Sequence, residues 1–136
     1  MTDEREVLDP GPSAFAKTLG VEILDWQPGF IRMQAPVSPW HLNRTSVVHG
    51  GIAAAMLDMA CGFSGIYTPP GEPLRQAVTL SLTVNFTGQT SHGMMIAEGR
   101  VKRSGRRIYF TEATLADDGG QMLAFATGVF RYRGGS

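Results

Sequence analysis

The chain has 136 residues, 43% of them hydrophobic, which is enough for one sizeable core and too few for two ordinary domains. Its 12 lysines and arginines balance 12 aspartates and glutamates, so the charge gives no reason to expect a nucleic-acid or membrane partner. The single cysteine, Cys61, excludes an intrachain disulfide and a thiolate zinc cluster, and we expect a reducing, cytoplasmic setting.

The first twelve residues are rich in charge and contain no long apolar stretch. They predict a flexible N-terminal tail without a signal or transit peptide. Residues 13–133 are then expected to form one domain. A short helix is predicted over residues 13–19, with Ser13 as its cap and Gly20 as its stop, and with Phe15 and Leu19 on one face.

Two short strands are predicted at residues 21–26 and 30–36, because the Pro28-Gly29 pair between them favours a tight turn. Residues 37–48 show neither a helical nor a strand period. They carry many polar side chains, which predicts a loop that lies over a functional feature.

The most apolar run, residues 52–67, is too short for a membrane span and predicts a helix that protein covers on nearly all sides. Asp58 is the only ionisable carboxylate in this run. An ionised carboxylate among such neighbours costs several kcal/mol, unless it is paired, hydrogen-bonded or placed at a wet pocket wall. Asp58 is therefore either a satisfied core carboxylate or a catalytic group.

Beyond residue 76 apolar and polar residues alternate, which predicts a half-buried antiparallel strand. The apolar residues expected on its one buried face are Val78, Leu80, Leu82, Val84 and Phe86. Three further strands are predicted at residues 94–102, 107–115 and 122–132. A hairpin, one long helix and a four-stranded meander predict an α+β fold, in which a twisted antiparallel sheet packs on a central helix.

Gly50 and Gly51 stand at the start of the long helix, where the first amides lack a helical partner and lie at the positive end of the dipole. Such amides build oxyanion holes, although glycines also simply begin helices. Gly50 and Asp58 are eight residues apart, or about 12 Å along a helix. If both act on one carbonyl group, an antiparallel helix of a second chain must supply one of them, across a two-fold interface.

Asn43, the run His49-Gly50-Gly51, Asp58 in an apolar helix and the strand at residues 78–86 together resemble the hotdog-fold thioesterases of the phenylacetate-degradation (PaaI-like) family. The resemblance covers residues 13–133. It implies one long helix wrapped by an antiparallel sheet, and a homodimer that commonly pairs into a tetramer. It also implies hydrolysis of an acyl-CoA thioester to a free acid and CoA, without a cofactor, because CoA is part of the substrate.

Carried over by position, the resemblance implies roles for five residues. The Gly50 amide would polarise the thioester carbonyl, and Asp58 of the partner chain would act as general base or nucleophile. Asn43 and His49 would position the substrate and the leaving sulfur. Thr79 would hold the attacking water, although it is almost equally well explained as a solvent-facing strand threonine.

Basic residues cluster around the Ser104-Gly105 turn. Within eight positions the chain has Arg100, Lys102, Arg103, Arg106 and Arg107. Arginine forks match phosphate oxygens, and Gly105 would let the chain approach closely. We therefore predict that Gly105, Lys102, Arg103, Arg106 and Arg107 bind the phosphates of CoA, as the resemblance also suggests. Solvated charges that guard a sheet edge are the alternative.

Two other functions stay open. A hotdog dehydratase acting on acyl thioesters would need an acid and a base at the α and β carbons of the substrate. The long helix offers one carboxylate and no histidine, which argues against this reaction. A non-catalytic acyl-CoA sensing module would keep the pocket without the reaction. The resemblance implies an aryl or medium-chain acyl group. His41 and His92 have no partners at metal-ligand spacing, and we assign no metal.

Overall fold

The long helix and the strands that it contacts are the elements that position the site. The structure is a computed structural model that describes residues 13–134, and the expected tail at residues 1–12 lies outside the described residues. The elements are α1 (Ala14–Leu19), β1 (Glu22–Gln27), β2 (Phe30–Pro36), a 3-10 turn (Pro39–His41), α2 (Gly50–Ser64), β3 (Ala77–Phe86), β4 (Met94–Ser104), β5 (Ile108–Asp117) and β6 (Met122–Tyr132). Neither helix in this part of the chain has the length and apolar character that crossing a membrane requires.

Within residues 13–134, six strands form one antiparallel sheet in the order β1-β2-β4-β5-β6-β3. Helix α2 packs on one face of this sheet and contacts β2, β3, β4, β5 and β6. The side chains between helix and sheet form the core, with Met33, Met56, Leu57 and Leu115 fully buried. The predicted α+β architecture of one main helix on an antiparallel sheet is confirmed.

The predicted four-stranded meander is wrong at its first strand. Strands β4, β5 and β6 pair consecutively, but β3 pairs with β6 at the edge of the sheet. Apolar alternation indicates which face of a strand is buried and does not identify the neighbouring strand. The seven residues 87–93 between β3 and β4 span up to roughly 23 Å. This exceeds the roughly 14 Å of three strand spacings, so the connection can cross two strands.

Strand β3 contains a bulge that changes which side chains face α2. The pairing with β6 skips Leu80, between Thr79 and Ser81, so Leu80 is the extra residue. The single apolar face predicted for the strand is therefore wrong. Val78 and Leu80 are exposed, whereas Leu82 packs against the core. Thr79 lies on the helix side of the sheet as a result.

Helix α2 approaches the sheet closely because β4 has a glycine beneath it. A Cβ added at Gly99 would lie 2.1 Å from the main-chain oxygen of Ala60, a distance that no side chain tolerates. The helix ends at Ser64, before the end of the predicted apolar run, and the Tyr109 ring fills the space beside Gly65. Glycine and aromatic residues together set the depth and length of α2.

Helix α1 has the predicted cap and stop, because the Ser13 hydroxyl oxygen accepts the Ala16 N–H at 3.0 Å and Gly20 has a φ of 82°. Phe15 and Leu19, predicted to share a face, differ in burial. Leu19 and Ala16 are buried, whereas Phe15 is 56% exposed. The small Ala16 side chain lets α1 lie close to the core, and this orientation leaves Phe15 at the edge.

The loop before α2 is organised by a buried histidine. His41 is 1% exposed, its Nδ1 accepts the Ser38 N–H at 3.0 Å, and its carbonyl oxygen accepts the His49 N–H at 2.8 Å. An accepting Nδ1 requires a neutral ring with its proton on Nε2. Burial lowers the pKa of His41, and the main chain of Leu19 offsets part of this effect. The uncharged His41 therefore stabilises the loop that leads into the first turn of α2.

The contact of α2 with Gly99 yields a stability prediction. Gly99→Ala should lower the free energy of unfolding by about 3 kcal/mol, because the added methyl group overlaps the helix backbone. Gly119→Ala is the matched control, since the nearest atom to its added Cβ is 3.4 Å away, on a turn side chain. Urea denaturation at one fixed protein concentration measures both variants. Equal stability of the two would contradict the close approach.

The buried His41 yields a pH prediction. Because its folded pKa is lowered from the ordinary value of about 6.5, unfolded His41 binds a proton that folded His41 does not. The free energy of unfolding should therefore fall as the pH drops from about 7 through the range below 6.5. His41→Asn should lose this part of the pH dependence, whereas the exposed-residue control His92→Asn should retain it. Urea denaturation at pH 7.5, 6.5 and 5.5 compares them, and identical slopes would refute the assignment.

Candidate active site

The carboxylate of Asp58 is half-buried on the side of α2 that faces strand β3. Its Oδ1 accepts a hydrogen bond from Thr79 Oγ1 at 2.8 Å. The bulge at Leu80 makes this contact possible, because it turns Thr79 toward the helix. Asp58 and Thr79 line a cavity of about 240 Å³ whose remaining walls are largely apolar. Asp58 thus has one oriented oxygen and access to a cavity, which a general base or a nucleophile requires.

The start of α2 leaves one main-chain donor for a ligand. The Gly51 N–H donates to Nδ1 of His49 at 2.8 Å, and the N–H groups of Ile52 and Ala53 donate to the His49 carbonyl. Among the described residues the Gly50 N–H has no acceptor. The expectation that the amides of both Gly50 and Gly51 are open is therefore wrong for Gly51, whose N–H is capped by the His49 ring. Only the Gly50 amide is open. Gly50 lines a cavity of about 710 Å³.

Asn43 lines the cavity beside Gly50, and His49 lines a second cavity that Asn43 also borders. Because Nδ1 of His49 accepts the Gly51 amide, a neutral ring carries its proton on Nε2 and offers that N–H as a donor. The side-chain oxygen of Asn43 accepts the Thr45 N–H at 2.9 Å, the Thr45 hydroxyl at 2.8 Å and the Val47 N–H at 3.2 Å. The loop itself thus occupies this oxygen, and the Asn43 NH₂ group is the part suited to a ligand.

The structure does not bring Gly50 and Asp58 together within one chain. They are eight residues apart on α2, or about 12 Å along the helix axis. A Cβ at Gly50 would contact the ring of Phe86, the last residue of β3, whereas Asp58 contacts Thr79 near the first. The two cavities have no lining residue in common among those described. Within one chain the open Gly50 amide and the Asp58 carboxylate therefore lie apart, one at the start of α2 and the other in its middle.

Two of the basic residues near the β4–β5 turn already have partners. Arg100 lies 3.4 Å from Glu98 and its guanidinium stacks over the Phe30 ring at 5.0 Å. Lys102 pairs with Glu112 at 3.4 Å. All four charged side chains are partly exposed, so these ion pairs contribute little to stability. Arg100 is consequently a less suitable phosphate ligand than the residues of the turn.

The β4–β5 turn lies at the Asp58 end of the sheet. Tyr109 follows the turn on β5 and pairs with Phe130 of β6. Phe130 also pairs with Thr79 of β3, on its other side. The turn is closed by a hydrogen bond from the Gly105 N–H to the Ile108 carbonyl at 2.8 Å. The exposed basic residues that surround it are Arg103, Arg106 and Arg107. The predicted phosphate cluster is thus a solvent-facing turn on the same side as Asp58.

The single cysteine is not placed to act as a nucleophile. Cys61 is fully buried in α2, and burial raises the pKa of its thiol to about 11. A nucleophilic cysteine has an accessible sulfur and a lowered pKa. Asp58, one turn earlier on the same helix, remains the candidate for chemistry.

Sequence reasoning missed residues that line the two cavities. Phe15 lies beside Asp58, and Phe86 and Gln121 lie beside Gly50. Gln121 comes from the turn before β6, which reaches this cavity because β6 pairs with β3. No signal in the sequence indicates that pairing. The spacing Ser-x-x-His at residues 38–41 was a usable signal for the buried His41.

Comparisons with known proteins agree with this architecture. A family model described as the thioesterase superfamily matches residues 45–124. A curated protein of Pseudomonas aeruginosa, PA0474, which is provisionally named an esterase, is 31% identical over 91 residues. This alignment spans 66% of the present chain and 66% of PA0474, so the chain covers about two thirds of that protein's length.

Two solved structures share the fold. The PaaI protein from the phenylacetic acid degradation operon of E. coli superposes with a TM-score of 0.77 and 22% identity, over 91% of this chain and 87% of PaaI. A hypothetical thioesterase of Streptococcus pneumoniae, solved with coenzyme A, has a TM-score of 0.73 and 19% identity, over 84% and 86% of the chains. Because the family model spans more than half of the chain, the protein belongs to the thioesterase superfamily, with the hotdog fold of its PaaI-like members.

Proposed function

We propose that the protein hydrolyses an acyl-CoA thioester to a free acid and CoA, as a homodimer with sites shared between protomers. One observation carries the proposal: α2 offers an open amide at Gly50 and an oriented carboxylate at Asp58. Membership of the thioesterase superfamily supports the reaction, and the S. pneumoniae structure with coenzyme A supports CoA as the carrier. No cofactor enters this proposal, because CoA belongs to the substrate.

Strand β3 is the edge that we assign to the dimer. It is ten residues long, lies at the end of the sheet, and leaves Leu80 52% and Phe86 58% exposed. A long apolar edge strand promotes aggregation unless another chain covers it. Two copies of β3, paired antiparallel about a two-fold axis, would place the Phe86 end of each opposite the Thr79 end of the other. Gly50 would then face the partner's Asp58.

In the proposed reaction the Gly50 N–H donates to the thioester carbonyl oxygen. The positive end of the α2 dipole stabilises the negative charge that develops on this oxygen. The partner's Asp58, oriented by Thr79, takes a proton from water while the water oxygen attacks the carbonyl carbon. The C–S bond then breaks, and the leaving sulfur of CoA takes the proton from Asp58. The free acid remains, and the carboxylate returns to its starting state.

Direct attack by Asp58 is the alternative first step. The carboxylate oxygen would displace CoA and form an acyl anhydride, which water would then hydrolyse. In either route we assign the Nε2–H of His49 and the NH₂ group of Asn43 to hold the substrate near the leaving sulfur. Label in the Asp58 carboxylate after a single turnover in oxygen-18 water requires the anhydride, opened by water at the Asp58 carbonyl carbon.

The turn between β4 and β5 is our candidate for the CoA phosphates. Gly105 is exposed there, and the surrounding charges are Lys102, Arg103, Arg106 and Arg107. Guanidinium groups pair with phosphate oxygens through two parallel hydrogen bonds. Pairing of two dimers into a tetramer and a cytoplasmic location are parts of the proposal that rest on the resemblance and the composition.

Two substitutions test the chemistry separately. Asp58→Asn should reduce thiol release from a panel of acyl-CoAs by about 10²–10⁴-fold, and Glu72→Gln on an exposed turn is its control.

Gly50→Pro removes the amide hydrogen at the first helical position, where proline is tolerated. His49 already has the extended conformation that precedes proline, with φ −61° and ψ 135°. Gly50→Ala, which keeps the N–H, should retain much more activity than Gly50→Pro.

Mixing the two inactive variants tests the shared site. A mixed dimer of Asp58→Asn and Gly50→Pro protomers contains one site with both wild-type residues and one with neither. Random exchange should therefore restore roughly a quarter of the wild-type activity. Failure to restore activity in mixed dimers of confirmed composition would place both residues in one chain. Tight acyl-CoA binding without thiol release would instead favour a sensing module.

The phosphate assignment is tested by removing the nucleotide from the substrate. Replacing both Arg106 and Arg107 with alanine should raise KM for an acyl-CoA about tenfold. The KM for the matching acyl-pantetheine, which lacks the nucleotide phosphates, should stay unchanged. Arg100→Ala is the control, because Arg100 is engaged by Glu98 and Phe30. An equal rise in both KM values would contradict the assignment.

A further inference from the structure

The cavity beside Asp58 has a composition that catalysis of hydrolysis does not explain. It encloses about 240 Å³ next to the carboxylate, and three phenylalanines and a methionine form much of its wall. The wall residues besides Asp58 and Thr79 are Ser13, Phe15, Met59, Gly62, Phe63, Ile66, Ala77 and Phe130. Water and a phosphate group gain nothing from such surroundings, whereas an apolar chain attached to the thioester does.

One wall of the cavity exists because Gly62 has no side chain. Gly62 follows Asp58 by four residues, so both lie on the same face of α2. A Cβ added at Gly62 would lie 3.1 Å from a ring carbon of Phe130 and would protrude into this space. The bare helix surface next to the carboxylate therefore leaves room for a group bonded to the reacting carbon.

Another part of the cavity wall is a side chain that the fold itself does not bury, that of Phe15. Phe15 is 56% exposed, whereas its helix is anchored through Ala16 and Leu19, which are buried. An exposed phenylalanine contributes little to folding, because its ring remains largely in water. Because Phe15 lines the cavity, its ring is available to contact a ligand there.

We infer that this cavity takes the acyl group, and that Phe15 and Gly62 are the residues that set the length of chain it accepts. The inference rests on the proposed function, because it places the acyl chain next to the reacting carbonyl. A volume of about 240 Å³ leaves room for an acyl group of several carbons. Phe15 contributes an exposed ring to the cavity wall, and Gly62 leaves the helix surface near Asp58 without a side chain.

Substitutions that enlarge or reduce the cavity should shift the preferred acyl chain length in opposite directions. Phe15→Ala should extend the preferred straight-chain acyl group, with kcat/KM rising about fourfold for each additional methylene that becomes buried. Gly62→Ala should shorten the preferred chain, because the methyl group occupies part of the cavity. Phe110→Ala is the control for loss of a partly exposed phenylalanine, since Phe110 is 47% exposed and does not line this cavity.

The experiment measures kcat/KM for straight acyl-CoAs from two to sixteen carbons, and Kd for the same series on Asp58→Asn versions of each protein. The inference is overturned if neither Phe15→Ala nor Gly62→Ala changes the preferred chain length in kcat/KM or in Kd, even when the protein hydrolyses acyl-CoAs well. Shifted profiles in Kd without any thiol release support the inference and overturn the proposed hydrolysis. If the two substitutions shift the preferred chain length in opposite directions in both kcat/KM and Kd, the inference and the proposed hydrolysis are both supported.

Discussion

The close backbone contact between α2 and β4 at Gly99 is the constraint on which the geometry of the molecule depends. A side chain there would overlap the Ala60 carbonyl, so the glycine sets how deeply the helix lies on the sheet. At this depth the apolar faces of α2 meet five strands, and Asp58 comes within hydrogen-bond distance of Thr79. A helix held further out would leave the carboxylate in solvent without an orienting partner.

The same helix separates the groups that the proposed chemistry needs to combine. Its first residue carries the open amide of Gly50, and its middle carries Asp58, with a rigid helical segment between them. No change of side-chain rotamer closes that separation. The proposed two-fold axis at the β3 edge would bring the start of one helix near the middle of the other, and it would cover the exposed apolar residues of that edge.

Much of the fold follows from local sequence patterns, because turns, caps and apolar periods depend on neighbouring residues. The hairpin at Pro28-Gly29, the Ser13 cap and helix α2 are confirmed for this reason. Asp58 and Gly50 were singled out from the sequence, and the structure shows an oriented carboxylate and an open amide, whereas their catalytic roles remain predictions. The pairing of β3 with β6, the bulge at Leu80 and the exposed Phe15 depend on contacts distant in sequence, which no local pattern encodes.

The bulge in β3 connects the Asp58 carboxylate to the proposed dimer edge. One extra residue, Leu80, reverses the side-chain alternation, so that Thr79 turns inward to Asp58 while Leu80 turns outward to the exposed face. Bulges recur beside active sites because they redirect a side chain without changing the rest of the strand. Loss of the bulge would remove the hydrogen bond to Asp58 and alter the surface available to a second chain. The orientation of the Asp58 carboxylate and the surface of the proposed dimer edge therefore depend on the same backbone irregularity.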